Sequence, residues 1–136
     1  MKLIPTNRIE SFSDGVIAII ITIMVFDLKV PEISAEKSAW LALSALIPKA
    51  CSYLISFSMI AIMWVNHHQL FHQIKNTDRT LLWCSIHLLF WMSLVPFSTN
   101  FVGTYPFVWQ SAFVYGLNFF MCALSFNLLR GYITRS

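Results

Sequence analysis

Three groups of residues in this chain have the polarity to do chemistry, and each sits inside or at the edge of an apolar run. The first is Arg8-Ile9-Glu10-Ser11-Phe12-Ser13-Asp14-Gly15-Val16, which places a carboxylate, two hydroxyls and a guanidinium where a hydrophobic stretch begins. Ionisable groups at membrane depth are costly unless paired or wet. Two readings are open: Ser13 or Asp14 caps a helix N-terminus, its negative charge at the positive end of the dipole, or these residues join a polar network. The second group, Trp64-Val65-Asn66-His67-His68-Gln69, closes the next apolar run at the same depth. Arg8, Asp14, Asn66 and His67 could therefore meet at one rim of a helical bundle. His68 and His72, one turn apart, have the spacing of zinc ligands, but no carboxylate or thiolate stands nearby in sequence to complete a site. Interfacial hydrogen bonding is the expectation, with no metal. The third group is His87 among Leu, Phe and Trp, open to a proton-relay reading; a neutral imidazole bonded to a neighbouring helix is the expectation.

Other chemistries are excluded by what the chain lacks. There is no nucleophile with an orienting base, no glycine-rich phosphate cradle and no carboxylate pair set for acid–base work, so an enzyme is not expected. The Thr-Val-Gly-Tyr-Gly filter of ordinary potassium channels is also missing. Cys51, Cys84 and Cys122 lie in apolar runs without metal-ligand spacing and read as small hydrophobes. The net charge of +3 comes from basic residues scattered singly at the ends of apolar runs, a topology signal rather than a nucleic-acid-binding face.

The elements that must position these groups are membrane spans. The chain has 136 residues, 57% hydrophobic and only 11% charged, less than half the charge of an ordinary soluble domain. Four apolar stretches reach the roughly 20 helical residues needed to cross a hydrocarbon core: Ile9–Val30, Ala39–Val65, Thr80–Val102 and Phe107–Leu129. They do not alternate, and an open sheet edge cannot sit in lipid, so helices are predicted. The first runs on into Phe26, Asp27, Leu28 and Lys29 without a small-residue cleavage site and reads as a retained span. The fold class is thus all-α, a single polytopic transmembrane bundle over residues 1–136, with short links that make consecutive spans antiparallel. Pro96-Phe97-Ser98-Thr99 marks a kink in the third span whose freed carbonyl Ser98, Thr99 or a neighbouring helix can take up. Lys49, in the outer half of the second span, is expected to snorkel outward or face a polar seam.

Lys2, Arg8, Lys75, Arg79, Arg130 and Arg135 all flank spans on one side, whereas Lys29 and Lys37 on the other are offset by Asp27, Glu32 and Glu36. The positive-inside rule then places both termini in the cytoplasm of a multi-pass cell-membrane protein.

The quoted segments resemble a known family. Arg8-x3-Phe12-Ser13-Asp14-Gly15, then Ala18-Ile19 and Thr22, is similar to the signature opening the first span of the transmembrane protein 175 family of cation channels. Ser56-Phe57, Trp64-x2-His67-His68-x2-Phe71 and Pro96-Phe97-Ser98-Thr99 follow in matching order. The resemblance implies a homotetramer of six-helix subunits around a central pore lined by the first span, passing potassium and other monovalent cations through a hydrophobic constriction, with no cofactor. Carried residue by residue, it puts the constriction at Ile19 and a hydroxyl at Thr22, and it joins Arg8, Ser13 and Asp14 to Trp64 and His67. A single short unit implies a prokaryotic member. The chain ends at Ser136 after its fourth span, so two of the usual six helices have no counterpart.

Periodicity adds its own support. At 100° per residue, Gly15, Ile19, Ile23 and Phe26 share one stripe with Thr22 on its edge, while Asp14 projects away. A rival reading is a non-conducting helical scaffold or companion subunit; a weaker one is a proton-coupled transporter using His87, which would call for inverted repeats and broken helices at midplane.

Overall fold

The structure, a computed structural model, describes residues 4–29, 39–74 and 76–135. Lys2, Val30, the link 31–37 with Glu32, Glu36 and Lys37, and Lys75 lie outside the described residues. The fold is all-α in its membrane part, and four helical segments of 22 to 27 residues are long and apolar enough to cross a bilayer. The first is α1 (Thr6–Ile23), carried on by a 3-10 turn over Met24–Asp27. A short α2 (Ala39–Ala45) precedes α3 (Ile47–Phe71). The third span is α4 (Arg79–Ser93) followed by α5 (Val95–Thr104), and the fourth is α6 (Trp109–Arg135).

The boundaries differ from the sequence reading where local chemistry outweighs hydropathy. The second span starts eight residues later than Ala39, because the chain turns at Leu46 and Pro48 then opens α3 within its first turn, where a missing N–H costs nothing. It also runs past Val65 to Phe71. The third span breaks at Leu94, just before Pro96 at the start of α5, as expected from the proline's missing donor.

α4 packs along α6, α3 along α5, and α5 against α6, while α1 lies against α3 and α4. At Gly103 the backbones of α5 and α3 come so close that an added Cβ would sit 2.7 Å from Ser52 Oγ and 3.2 Å from Lys49 Cα. Lys49 is half-buried and lines a small cavity with Met24, Asp27, Leu28, Ser52 and Asn100.

Two ties gather the chain ends on one rim. β1 (Ile4–Pro5) pairs antiparallel with β2 (Asn76–Thr77), Ile4 opposite Thr77 and Pro5 opposite Asn76. Asp78 caps α4, accepting from the Leu81 backbone N–H at 2.9 Å, and its second oxygen accepts from the hydroxyl of Tyr132 near the end of α6. The start of α1, the α3–α4 link and the end of α6 therefore share one side, here the terminal rim, with Arg8, Arg79, Arg130 and Arg135 exposed around it.

Candidate functional site: the first span and the terminal rim

The helix α1 has two apolar faces with opposite fates. Ile9, Ile17, Ile20 and Met24 are at most 5% exposed and form part of the bundle core. Ile19, Ile23 and Phe26 are 64%, 46% and 71% exposed, and Gly15 and Thr22 are open beside them. Among the described residues, the stripe read from periodicity is left largely uncovered. The Thr22 hydroxyl donates back to the Ala18 carbonyl at 2.7 Å, with Ile19 O at 3.2 Å. Its proton is thus held by its own helix.

At the terminal rim, Trp64 Nε1 donates to Asp14 Oδ1 at 2.8 Å, tying α3 to α1. The capping reading fails: α1 begins at Thr6, so Ser13 and Asp14 lie two turns inside it, and Pro5 at its N-cap makes no side-chain cap. Ser13 is fully buried, and its hydroxyl has no hydrogen-bond partner among the described residues. The same is true of both ring nitrogens of His67, whose ring packs on Phe71 at 4.4 Å between centroids. Asp14 and His68 are the ionisable neighbours of His67. Arg8 and Asn66 are exposed and make no side-chain hydrogen bond or ion pair with a described residue. Of the expected network, the structure joins Asp14 to Trp64, buries Ser13 and His67 without a hydrogen bond to a described residue, and leaves Arg8 and Asn66 at its edge.

Sequence reasoning missed a member. Glu10 Oε1 lies 3.4 Å from His68 Nδ1, and the His68 ring stacks on Trp64 at 5.5 Å. Helical spacing held the signal, since Glu10 and Asp14 lie one turn apart on α1, as Trp64 and His68 do on α3. No group of three or more metal-ligating side chains converges among the described residues. His87 corrects the expectation of a partner on another helix: its Nε2 accepts from Trp91 Nε1 on the same helix at 3.0 Å.

A second polar system joins α3, α5 and α6. Ser56 bonds Thr99 at 2.6 Å and Tyr115 at 2.6 Å. Asn118 straddles the break at Leu94, donating to the Trp91 carbonyl at 2.8 Å on the α4 side and accepting from Ser98 at 2.7 Å on the α5 side. The carbonyl that Pro96 frees is that of Met92, four residues back; Asn118 braces the neighbouring Trp91 carbonyl, and it had no local sequence signal.

Comparison with known proteins follows this geometry. Residues 8–96 match the family model described as endosomal/lysosomal potassium channel TMEM175. A potassium channel of Chryseobacterium sp. (strain P1-3) is 44% identical over 129 residues, covering 95% of this chain and 65% of that protein. One of Streptomyces collinus (strain DSM 40733 / Tue 365) is 38% identical over 135 residues, covering 96% of this chain and 66% of that protein. The crystal structure of a lysosomal potassium-selective channel TMEM175 homolog from Chamaesiphon minutus superposes with a TM-score of 0.85 at 38% identity, covering 91% of this chain and 69% of that one. The chain thus spans about two thirds of the length of the curated relatives it matches.

Proposed function

The chain belongs to the TMEM175 potassium channel family, and from that premise we propose that it is a subunit of a homotetrameric, potassium-permeable cation channel whose pore is lined by α1. The observation that carries this reading is the division of α1 into a core face and an unpacked stripe of Ile19, Ile23 and Phe26 with Thr22 at its edge. Four copies of that stripe around an axis make a narrow apolar ring at Ile19. A hydrated ion crosses such a ring only by shedding water or when the ring wets, because hydrophobic constrictions gate by dewetting. Thr22, one turn on, offers hydroxyl oxygens to a partly dehydrated cation. Conduction of this kind needs no cofactor, and the terminal rim faces the cytoplasm because the exposed arginines lie there. Maleimide labelling from outside of Asn76→Cys, in a cysteine-free background, would reverse that orientation.

The test is flux in reconstituted vesicles, using a particle shown by mass to be a tetramer. Ile19→Asn should raise cation flux and blur discrimination between potassium and sodium, while Thr22→Val lowers flux. Ile20→Asn, about 100° around the helix and 5% exposed, should damage folding instead. An unchanged potassium flux in tetrameric Ile19→Asn removes the mechanism, and a monodisperse monomer favours the scaffold.

A further inference from the structure

At the terminal rim, two side-chain contacts run in parallel between α1 and α3. Asp14 accepts from Trp64 at 2.8 Å, and one turn nearer the rim Glu10 meets His68 at 3.4 Å. The pairs are one turn apart on both helices, in antiparallel register. They are also joined sideways, since the Trp64 and His68 rings stack with planes inclined by 21°. The two contacts differ in kind: an indole N–H keeps its proton, whereas an imidazole can take up a second proton and become a charged donor at both nitrogens.

We infer that Glu10 and His68 form a proton-dependent tie that positions α1 against α3, tightening as the terminal side acidifies. With neutral imidazole a polar N–H faces the carboxylate. With imidazolium the contact carries a full charge on each side. The surroundings leave Glu10 as the natural partner. On α1 the other charged groups are Asp14, occupied by Trp64, and Arg8, which is exposed and makes no ion pair with a described residue. On its own helix His68 has His67 on one side and His72, with ring centroids 6.2 Å away, on the other. α2 and α5 carry no ionisable side chain, and Asp27 lies at the far end of α1. The side chains of His68 and Glu10 are 49% and 23% exposed, so protons reach them directly from solvent. Because Trp64 stacks on His68 while holding Asp14, a change at the outer pair reaches the inner one.

The effect on conduction rests on the reading of α1 as the pore-lining helix; the tie itself does not. The test therefore uses two readouts on the full chain. The first is thermal stability of wild type, Glu10→Gln, His68→Gln and the double variant at about pH 5.5 and about pH 8, values that bracket histidine titration. The cycle isolates the pair from the other histidines, and a coupling equivalent to about a twofold change in the folded-to-unfolded ratio is expected at the lower pH, as for partly exposed ion pairs, and less at the higher. The exchanged pair, Glu10→His with His68→Glu, should restore it, which a merely structural role would not. The second readout is flux against pH on the terminal side, flattened in either single variant and recovered in the exchange. No coupling, or equal coupling at both pH values, overturns the tie. Coupling that appears in stability but leaves tetramer flux indifferent to pH upholds the tie and counts against α1 as the pore wall.

Discussion

The two polar regions of this bundle use similar residues to opposite ends. Between α3, α5 and α6, the buried Ser56, Ser98, Thr99 and Asn118 all have cross-helix partners. Where α1 meets α3 and α4, the buried hydroxyls of Thr6, Ser13 and Ser85 and both nitrogens of His67 have none among the described residues. Helices in lipid gain no hydrophobic force toward one another, so side-chain bonds and close packing fix their geometry. The first region is thereby set rigidly, down to the contact at Gly103. In the second, a shift of α1 breaks few bonds, which suits a helix whose exposed face is proposed to gate.

The strongest test of this contrast is Asn118→Leu, which removes two hydrogen bonds across the helix break while Trp91 O keeps the Leu94 N–H at 3.2 Å and the Ser98 hydroxyl keeps the Val95 carbonyl at 3.2 Å. It should cost about 2 kcal/mol, the scale of two intramolecular hydrogen bonds, seen as a lower midpoint in detergent-resistance melts; a loss no larger than a surface substitution would dissolve the distinction. A matched pair sharpens it. Ser56 and Ser85 are both fully buried, yet Ser56→Ala should cost about 1 kcal/mol, in the range of intramembrane side-chain bonds, whereas Ser85→Ala should be neutral or stabilising because no bond is lost. Equal costs would mean that Ser85 is satisfied after all.

The smallest effect concerns the tie between chain end and link. Hydrogen bonds from Tyr132 first and the Leu81 backbone second hold the Asp78 carboxyl below its ordinary range. A depressed carboxylate contributes stability that is present above its unfolded pKa and lost as pH falls through its folded one. Tyr132→Phe should thus lower the melting midpoint slightly at neutral pH, and that difference should vanish in strong acid. A difference that grows with acidification would contradict the assignment.

What the sequence makes legible here is what repeats. Apolar runs of span length give the four crossings, and the 100° period separates Ile19 and Ile23 from Ile17 and Ile20 on α1. Proline chemistry locates the break near Pro96. Single partnerships across distant helices, such as Asn118 with Trp91 or Tyr132 with Asp78, leave no period to read, because any of several polar residues at that depth would fit the same hydropathy. The capping reading of Ser13 failed for a related reason: helix starts are set by the whole polar-to-apolar transition, and the β1–β2 pairing moves that start back to Thr6.

The two-residue strand pairing has a consequence for how the protein is made. β1 precedes its partner Asn76–Thr77 by two full spans, and α1 packs on helices from both sides of that link. The first span can dock on α3 as soon as that helix is in the membrane, but its strand tie waits until the α3–α4 link is synthesised. The Asp14–Trp64 bond needs only α3, whereas the Tyr132–Asp78 contact waits for α6. Insertion order and packing order run apart in this chain, and a pause before residue 77 would leave the side of α1 that packs on α4 uncovered.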